Sequence, residues 1–125
     1  MAHPIDQIRL FISQQEHPFR RGHPLMAMCR LLLEVRILPH DEMASVVADM
    51  EAVLWTPRIL RCMPCTLKCM AWLVLATDGM LPEQHRRYAE QYHRLSTHLA
   101  ARGNTRDFMQ EMVTALSCPI GQLLN

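Results

Sequence analysis

The strongest constraint on the fold is an apolar stretch in the middle of the chain. Residues 67–81 read Leu-Lys-Cys-Met-Ala-Trp-Leu-Val-Leu-Ala-Thr-Asp-Gly-Met-Leu, and Pro82 follows. A helix that is apolar on every side must be surrounded by other elements. The uninterrupted run from Met70 to Ala76 is much shorter than the roughly 20 residues that span a bilayer. We therefore predict a core helix over residues 64–78 and no transmembrane segment.

Length and composition favour a single domain. The chain has 125 residues, and 50% of them are hydrophobic, which suffices for one core. No repeat, low-complexity tract or long linker divides it, so we predict one domain over residues 1–125 with a frayed tail over 119–125. No stretch alternates apolar and polar residues over the length of a strand. The predicted fold is all-α, a compact bundle of about five to six helices around the apolar helix.

Prolines and glycines set the predicted helix limits. A residue before proline leaves the helical region, proline suits a first helical turn, and glycine ends a helix in the left-handed conformation. Before the core helix, these rules predict a helix over residues 4–16, a helix from Pro24 to Pro39, a helix that begins at Pro39 and ends at Trp55, and a short turn over 57–61. After the core helix, they predict a helix from Pro82 to Arg102. The last predicted helix is capped by Asn104 or Thr105 and ends at Pro119.

Apolar stripes at helical spacing predict the face that each helix buries. The expected inward residues are Ile5, Ile8, Phe11 and Ile12; Leu25, Met28, Leu32, Val35 and Ile37; Met43, Val46, Val47, Met50, Val53 and Leu54; Tyr88, Tyr92, Leu95 and Leu99; and Phe108, Met112, Val113 and Leu116.

The charge balance argues against a protein that binds mainly nucleic acid. The formal net charge is +1, and affinity for phosphates grows with the number of cations presented. The basic residues are nearly all arginine, with Lys68 the only lysine, and the chain also carries 10 Met, 7 His and 5 Cys. Such a skew is typical of a GC-rich genome or of a reading frame that overlaps another gene.

Three cysteines, Cys62, Cys65 and Cys69, have spacings that place them on one side of a helix. Three thiolates on one face are a candidate site for a thiophilic metal, with a nearby histidine as the fourth ligand. They alternate with apolar residues of the core helix, where free cysteine acts as a small hydrophobe, so we favour core packing and predict no metal. The odd total of 5 cysteines and the lack of a leader pattern indicate an intracellular protein with reduced thiols.

Histidines offer the next candidates for chemistry. His85, His93 and His98 share the helix that follows Pro82. They have no Ser, Cys or carboxylate partner at a recognisable spacing, and histidines on a polar helix face are usually solvated. We therefore predict no catalytic residues, no cofactor and no enzymatic activity.

The basic residues of the same helix predict a binding face. Arg86, Arg87, His93 and Arg94 lie largely outside the tyrosine and leucine stripe. Acidic residues interrupt this face, and the tyrosines are committed to the core, whereas nucleic-acid surfaces usually combine denser cations with free aromatic rings. We favour a protein partner and keep direct nucleic-acid binding as the alternative. Trp55, at a helix end, is the aromatic residue expected to be partly exposed.

The order of these helices resembles a known family. The stretch Cys29-Arg-Leu-Leu-Leu-Glu-Val-Arg-Ile-Leu-Pro39, the helix over residues 43–54, and residues 67–81 followed by proline resemble the C-terminal domain of paramyxovirus C proteins. The resemblance covers residues 25–82 and rests on helix order, on Met and Cys richness, and on the aromatic-bearing apolar helix with its short turn. C proteins generally carry a basic, flexible N-terminal region, and this chain departs from them by starting in a predicted helix.

The resemblance implies a non-catalytic viral accessory protein, translated from a frame that overlaps the phosphoprotein gene. Such proteins regulate viral RNA synthesis through the polymerase complex and antagonise the interferon response through host innate-immunity proteins. Some recruit the host membrane-scission machinery. The implied location is the host cell cytoplasm, with nuclear shuttling and the oligomeric state left open. No family residue maps onto the predicted site, so the partner-binding candidates remain Arg86, Arg87, His93, Arg94 and Trp55. A small helical nucleic-acid-binding regulator that uses the same arginines is the alternative function.

Overall fold

The computed structural model describes residues 24–116, apart from the side chains of residues 24–28, 58 and 59. This part of the chain contains only helices: α1 (Pro24–Arg36), α2 (His40–Leu54), α3 (Pro57–Leu60), α4 (Met63–Thr77), α5 (Pro82–Ala101) and α6 (Phe108–Leu116). The predicted all-α bundle is confirmed. The predicted helix over residues 4–16 and the predicted frayed tail over 119–125 lie outside the described residues.

The core helix is the centre of the bundle, as predicted. α4 packs against all five other described helices. Trp72, Leu73 and Cys69 are fully buried within it, and its exposed residues are confined to its first turn. Because α4 is covered on every side, it holds the other helices in place around a single core.

The helix limits predicted from proline and glycine agree closely with the structure. Pro39 precedes α2, and Trp55 follows it as the C-terminal cap. Gly79 and Gly103 have φ angles of 73° and 93° after α4 and α5, in the left-handed region that disfavours residues with a Cβ. The positions of proline and glycine in the sequence therefore predict the limits of these helices.

The cap of α6 differs from the prediction. Asp107 is the N-cap, because its Oδ1 accepts a hydrogen bond from the backbone N–H of Gln110 at 3.1 Å. Asn104 instead accepts one from the N–H of Arg106 at 3.2 Å and stabilises the preceding turn. The prediction of Asn104 or Thr105 is wrong, since several polar residues in a row are each able to cap and only the packed geometry selects one.

Two residues predicted to face inward are exposed. Ile37 is 84% exposed, because α1 ends at Arg36 and the helical period no longer applies to the next residue. Val113 is 41% exposed, since the buried stripe of α6 follows Phe108 and Met112 and the next residue lies about 100° round the helix.

Candidate functional site

The predicted stripe on α5 is confirmed, and it leaves an outer face. Tyr88, Tyr92 and Leu99 are buried, and Leu95 packs partly against the core. The predicted site residues on this helix, Arg86, Arg87, His93 and Arg94, are all exposed, and the exposed acids Glu83 and Glu90 lie among them. We call these four basic residues the basic face.

Arg87 joins the basic face to α2. Its Nη2 lies 3.2 Å from Oε1 of Glu51 and donates to the hydroxyl of Tyr88 at 3.5 Å. Its guanidinium carbon lies 5.2 Å from the centre of the Tyr88 ring. The hydrogen bond with Tyr88, and then the charge of Glu51, raise the pKa of Arg87. Arg87 is therefore held in one orientation at the surface.

Trp55 follows Glu51, the ion-pair partner of Arg87, by one helical turn. Glu51 and Trp55 are one helical turn apart on α2, and the N–H of Trp55 donates to the carbonyl of Glu51 at 3.3 Å. Residues four apart share a helix face. The Trp55 side chain is 53% exposed, which agrees with the predicted partial exposure. The ion pair between Arg87 and Glu51 thus joins α5 to the end of α2, one helical turn before Trp55.

Two apolar residues that follow Trp55 are also exposed. Leu60 on α3 is 42% exposed, and Met63 at the start of α4 is 40% exposed. Three of the six large exposed hydrophobic residues of the described chain therefore lie between residues 55 and 63. We call residues 55–63 the Trp55 segment.

The structure divides the basic face into two sides. Arg87 and Arg94 are seven residues apart and share the side of α5 that faces Glu51. Arg86 and His93 are also seven apart, and they lie about 100° away. His93 lines a groove of about 310 Å³ between α5 and α6, together with Tyr92 and Met109. Of the basic face, Arg87 is the residue shown to contact α2, the helix that Trp55 follows.

Two residues that cap α4 were missed by the sequence analysis. His85 Nδ1 lies 2.9 Å from the carbonyl oxygen of Val74, and Arg36 donates from Nη1 to the carbonyl of Leu75 at 2.8 Å. The expectation of a solvated His85 is wrong, because the last carbonyls of a helix have no partner within it and attract side-chain donors. These residues stabilise the end of the core helix.

A hydrogen-bond network joins α5 to α6. The Tyr92 hydroxyl donates to Oδ1 of Asp107 at 2.9 Å and accepts from the N–H of Met109 at 3.2 Å. Burial is the main cause that raises the pKa of Tyr92 to about 12. Tyr92 therefore remains a neutral donor, and its role is to fix the start of α6.

The cysteines differ from the prediction of reduced thiols. Cys62 and Cys65 form a disulfide with their Cα atoms 5.2 Å apart, within the range that such bonds require. Cys62 precedes α4, so the three cysteines do not line one helix face. Cys69 and Cys29 are free and fully buried, as core packing predicts. Within residues 24–116, no group of three or more His, Cys, Asp or Glu side chains is arranged to hold a metal ion.

No protein-family model, curated protein or solved structure matches the chain. None of the helices in the described part of the chain is both long enough and apolar enough to cross a membrane.

Proposed function

We propose that this protein is a non-catalytic accessory protein that binds another protein through Trp55 and the neighbouring Arg87. The observation that carries the proposal is the 53% exposure of an indole at the end of a packed helix. Tryptophan and arginine are the residues most enriched among those that dominate binding energy at interfaces. Trp55 and Arg87 are therefore the residues expected to contribute most to binding.

The geometry lowers the cost of binding at this site. Trp55 follows α2, whose buried residues fix its position in the bundle. Arg87 is held by Glu51 and by the Tyr88 ring before any partner arrives. Side chains that are already oriented lose less conformational freedom on binding. A partner with an apolar pocket for the indole and an acidic group for Arg94 or Arg87 fits this surface.

The resemblance of residues 25–82 to paramyxovirus C proteins supports a specific class of partner. We propose the viral polymerase complex as the principal partner, with regulation of viral RNA synthesis as the result. Host innate-immunity or membrane-scission proteins are further partners under the same proposal, and the host cell cytoplasm is the proposed location. The mechanism is competition for a surface: a rigid helical domain occupies part of its partner and shifts the partner between states.

Direct binding to nucleic acid is less well supported. Glu83 and Glu90 lie among the exposed arginines of α5 and offset part of their positive charge. The two tyrosines of this helix are buried, so their rings offer no surface on which bases can stack. The acidic residues weaken the attraction of this face for phosphates, and the buried tyrosines cannot stack with bases.

Affinity capture tests the proposal. The tagged full chain is recovered from cells that express a paramyxovirus polymerase complex, with and without nuclease and over a range of salt concentrations. We expect recovery of polymerase or phosphoprotein that resists nuclease and changes little with salt, since an interface with an apolar centre releases few counterions. Recovery of nucleic acid alone, lost on nuclease treatment, would overturn the proposal in favour of a nucleic-acid-binding regulator.

A further inference from the structure

We propose that Cys62 and Cys65 form a reversible dithiol and disulfide site that exchanges with low-molecular-weight thiols such as glutathione. Cys62 is the sulfur that the external thiol attacks, and Cys65 is the resolving sulfur. The proposal does not depend on the identity of any protein partner.

The pair lies where the chain enters the core helix. The sequence Cys62-Met63-Pro64-Cys65 places Cys62 at the N-cap of α4 and Cys65 in its first turn. The carbonyl of Cys62 accepts the first hydrogen bond of the helix, from the N–H of Thr66 at 2.9 Å. The Cys-x-x-Cys spacing thus holds both sulfurs within bonding distance through the helix itself, and the first turn contains no acidic residue.

The two cysteine residues differ in their exposure to solvent. Cys65 is 3% exposed, whereas Cys62 is only partly buried and lies between two exposed residues, Arg61 and Met63. Attack on a disulfide requires an approach in line with the bond, so access decides which sulfur is attacked. We therefore assign the attack to Cys62, the more exposed residue of the pair.

The exchange balances without any further reactant. A thiolate attacks the sulfur of Cys62, a new S–S bond forms, and Cys65 leaves as a thiolate at the N-terminus of α4. Helix N-termini stabilise negative charge, which offsets part of the cost of burying this leaving group. A second thiolate attacks the external sulfur of the mixed disulfide and releases Cys62. In total, two thiols become one disulfide, and the protein gains two electrons and two protons.

The other two described cysteines lack these properties. Cys29 and Cys69 are fully buried, and each sulfur lies 3.9 Å from a backbone carbonyl oxygen. Burial raises the pKa of both thiols, which disfavours the reactive thiolate. Exchange is therefore specific to the pair at the start of α4.

The test uses the full chain with Cys118→Ser, which removes the one cysteine outside the described residues. The protein is equilibrated in buffers of reduced and oxidised glutathione, its free thiols are alkylated, and its mass is measured. We expect Cys62 and Cys65 to convert together and reversibly across the series. In single variants, glutathione should attach to Cys62 in Cys65→Ser at least about ten times faster than to Cys65 in Cys62→Ser.

Several results would overturn the inference. One is a pair that stays in a single redox state across the whole glutathione series. Another is attachment at equal rates to Cys62 and Cys65, and a third is modification of Cys29 or Cys69 at the rate of Cys62. The redox series on the Cys118→Ser chain remains decisive if a single variant does not fold. Loss of polymerase binding leaves all these readouts unchanged, so the two proposals fail separately.

Discussion

Two consecutive helices, α4 and α5, differ in how much of their surface is buried. α4 is apolar on nearly every side and is enclosed by the other helices, whereas α5 buries one stripe and exposes the rest. The same division separates the two tryptophans: Trp72 on α4 is fully buried, and Trp55 at the end of α2 is 53% exposed. A residue covered on all sides serves the fold, and a large apolar residue left half exposed on a rigid element is available to a partner.

The largest expected effect comes from removing the buried indole. Trp72→Ala should lower the free energy of unfolding by about 3–5 kcal/mol, because it removes buried area and leaves a cavity. Trp55→Ala is the matched control and should change stability by less than about 0.5 kcal/mol. Urea unfolding followed by circular dichroism measures both. Equal losses from the two variants would contradict the division between a core indole and a surface indole.

The next effect concerns the junction of α5 and α6. Tyr92→Phe should cost about 1–2 kcal/mol, because it removes a hydroxyl that bonds both Asp107 and the N–H of Met109. Tyr88→Phe is the matched control on the same helix. Its hydroxyl accepts a hydrogen bond from the exposed Arg87, which water can replace, so the loss should be smaller. The reverse order in urea unfolding would show that α6 is not held through Tyr92.

A smaller effect tests the corrected cap of α6. Asp107→Ala should cost about 1 kcal/mol, since the N–H of Gln110 loses its acceptor. Thr105→Ala, at a position where the sequence predicts a cap, should cost less. Hydrogen exchange of the α6 amides reports the difference locally. If Thr105→Ala increases exchange more than Asp107→Ala, the assignment of the cap is wrong.

The smallest effect is a dependence on pH. Arg106 donates two hydrogen bonds of 2.8 Å to Glu111, and these bonds lower the pKa of the Glu111 carboxyl. The pKa of Glu111 is therefore lower in the folded protein than in the unfolded chain. At pH values above the ordinary pKa of a glutamate carboxyl, this difference stabilises the folded state. The added stability is lost as the pH falls through the folded pKa. Glu111→Gln and Arg106→Gln should each abolish this loss of stability at low pH. The loss amounts to at most about 1 kcal/mol, because the two residues form a surface pair. Stability curves from pH 7 to 3 that match the unaltered protein would contradict this assignment.

Most of the described fold is predictable from local rules. Proline and glycine fix the limits of α2, α4 and α5, and stripes of apolar residues fix the buried faces. These rules fail where the choice depends on distant contacts. The cap at Asp107 depends on Tyr92, and the orientation of His85 depends on the carbonyl of Val74 near the end of α4.

The candidate site is predictable only in part. The position of Trp55 at a helix end predicts its exposure, and the polar side of α5 predicts an exposed Arg87. The ion pair that joins α5 to Glu51 cannot be read from spacing, because the two residues belong to different helices. Spacing places His93 and Arg87 on different sides of α5, but the sequence does not show which of these sides faces Glu51. The disulfide is not predicted from the sequence, because the Cys-x-x-Cys spacing beside an apolar helix is also compatible with core packing.

The most direct test of the central claim measures affinity for a purified paramyxovirus polymerase complex. The chain is compared with its Trp55→Ala variant, and Ile37→Ala serves as a control at another exposed apolar residue. We predict that Trp55→Ala weakens binding by at least about tenfold while its unfolding curve stays unchanged, and that Ile37→Ala binds like the unaltered chain. Equal affinities of the unaltered chain and Trp55→Ala would contradict the claim that this indole is the contact residue.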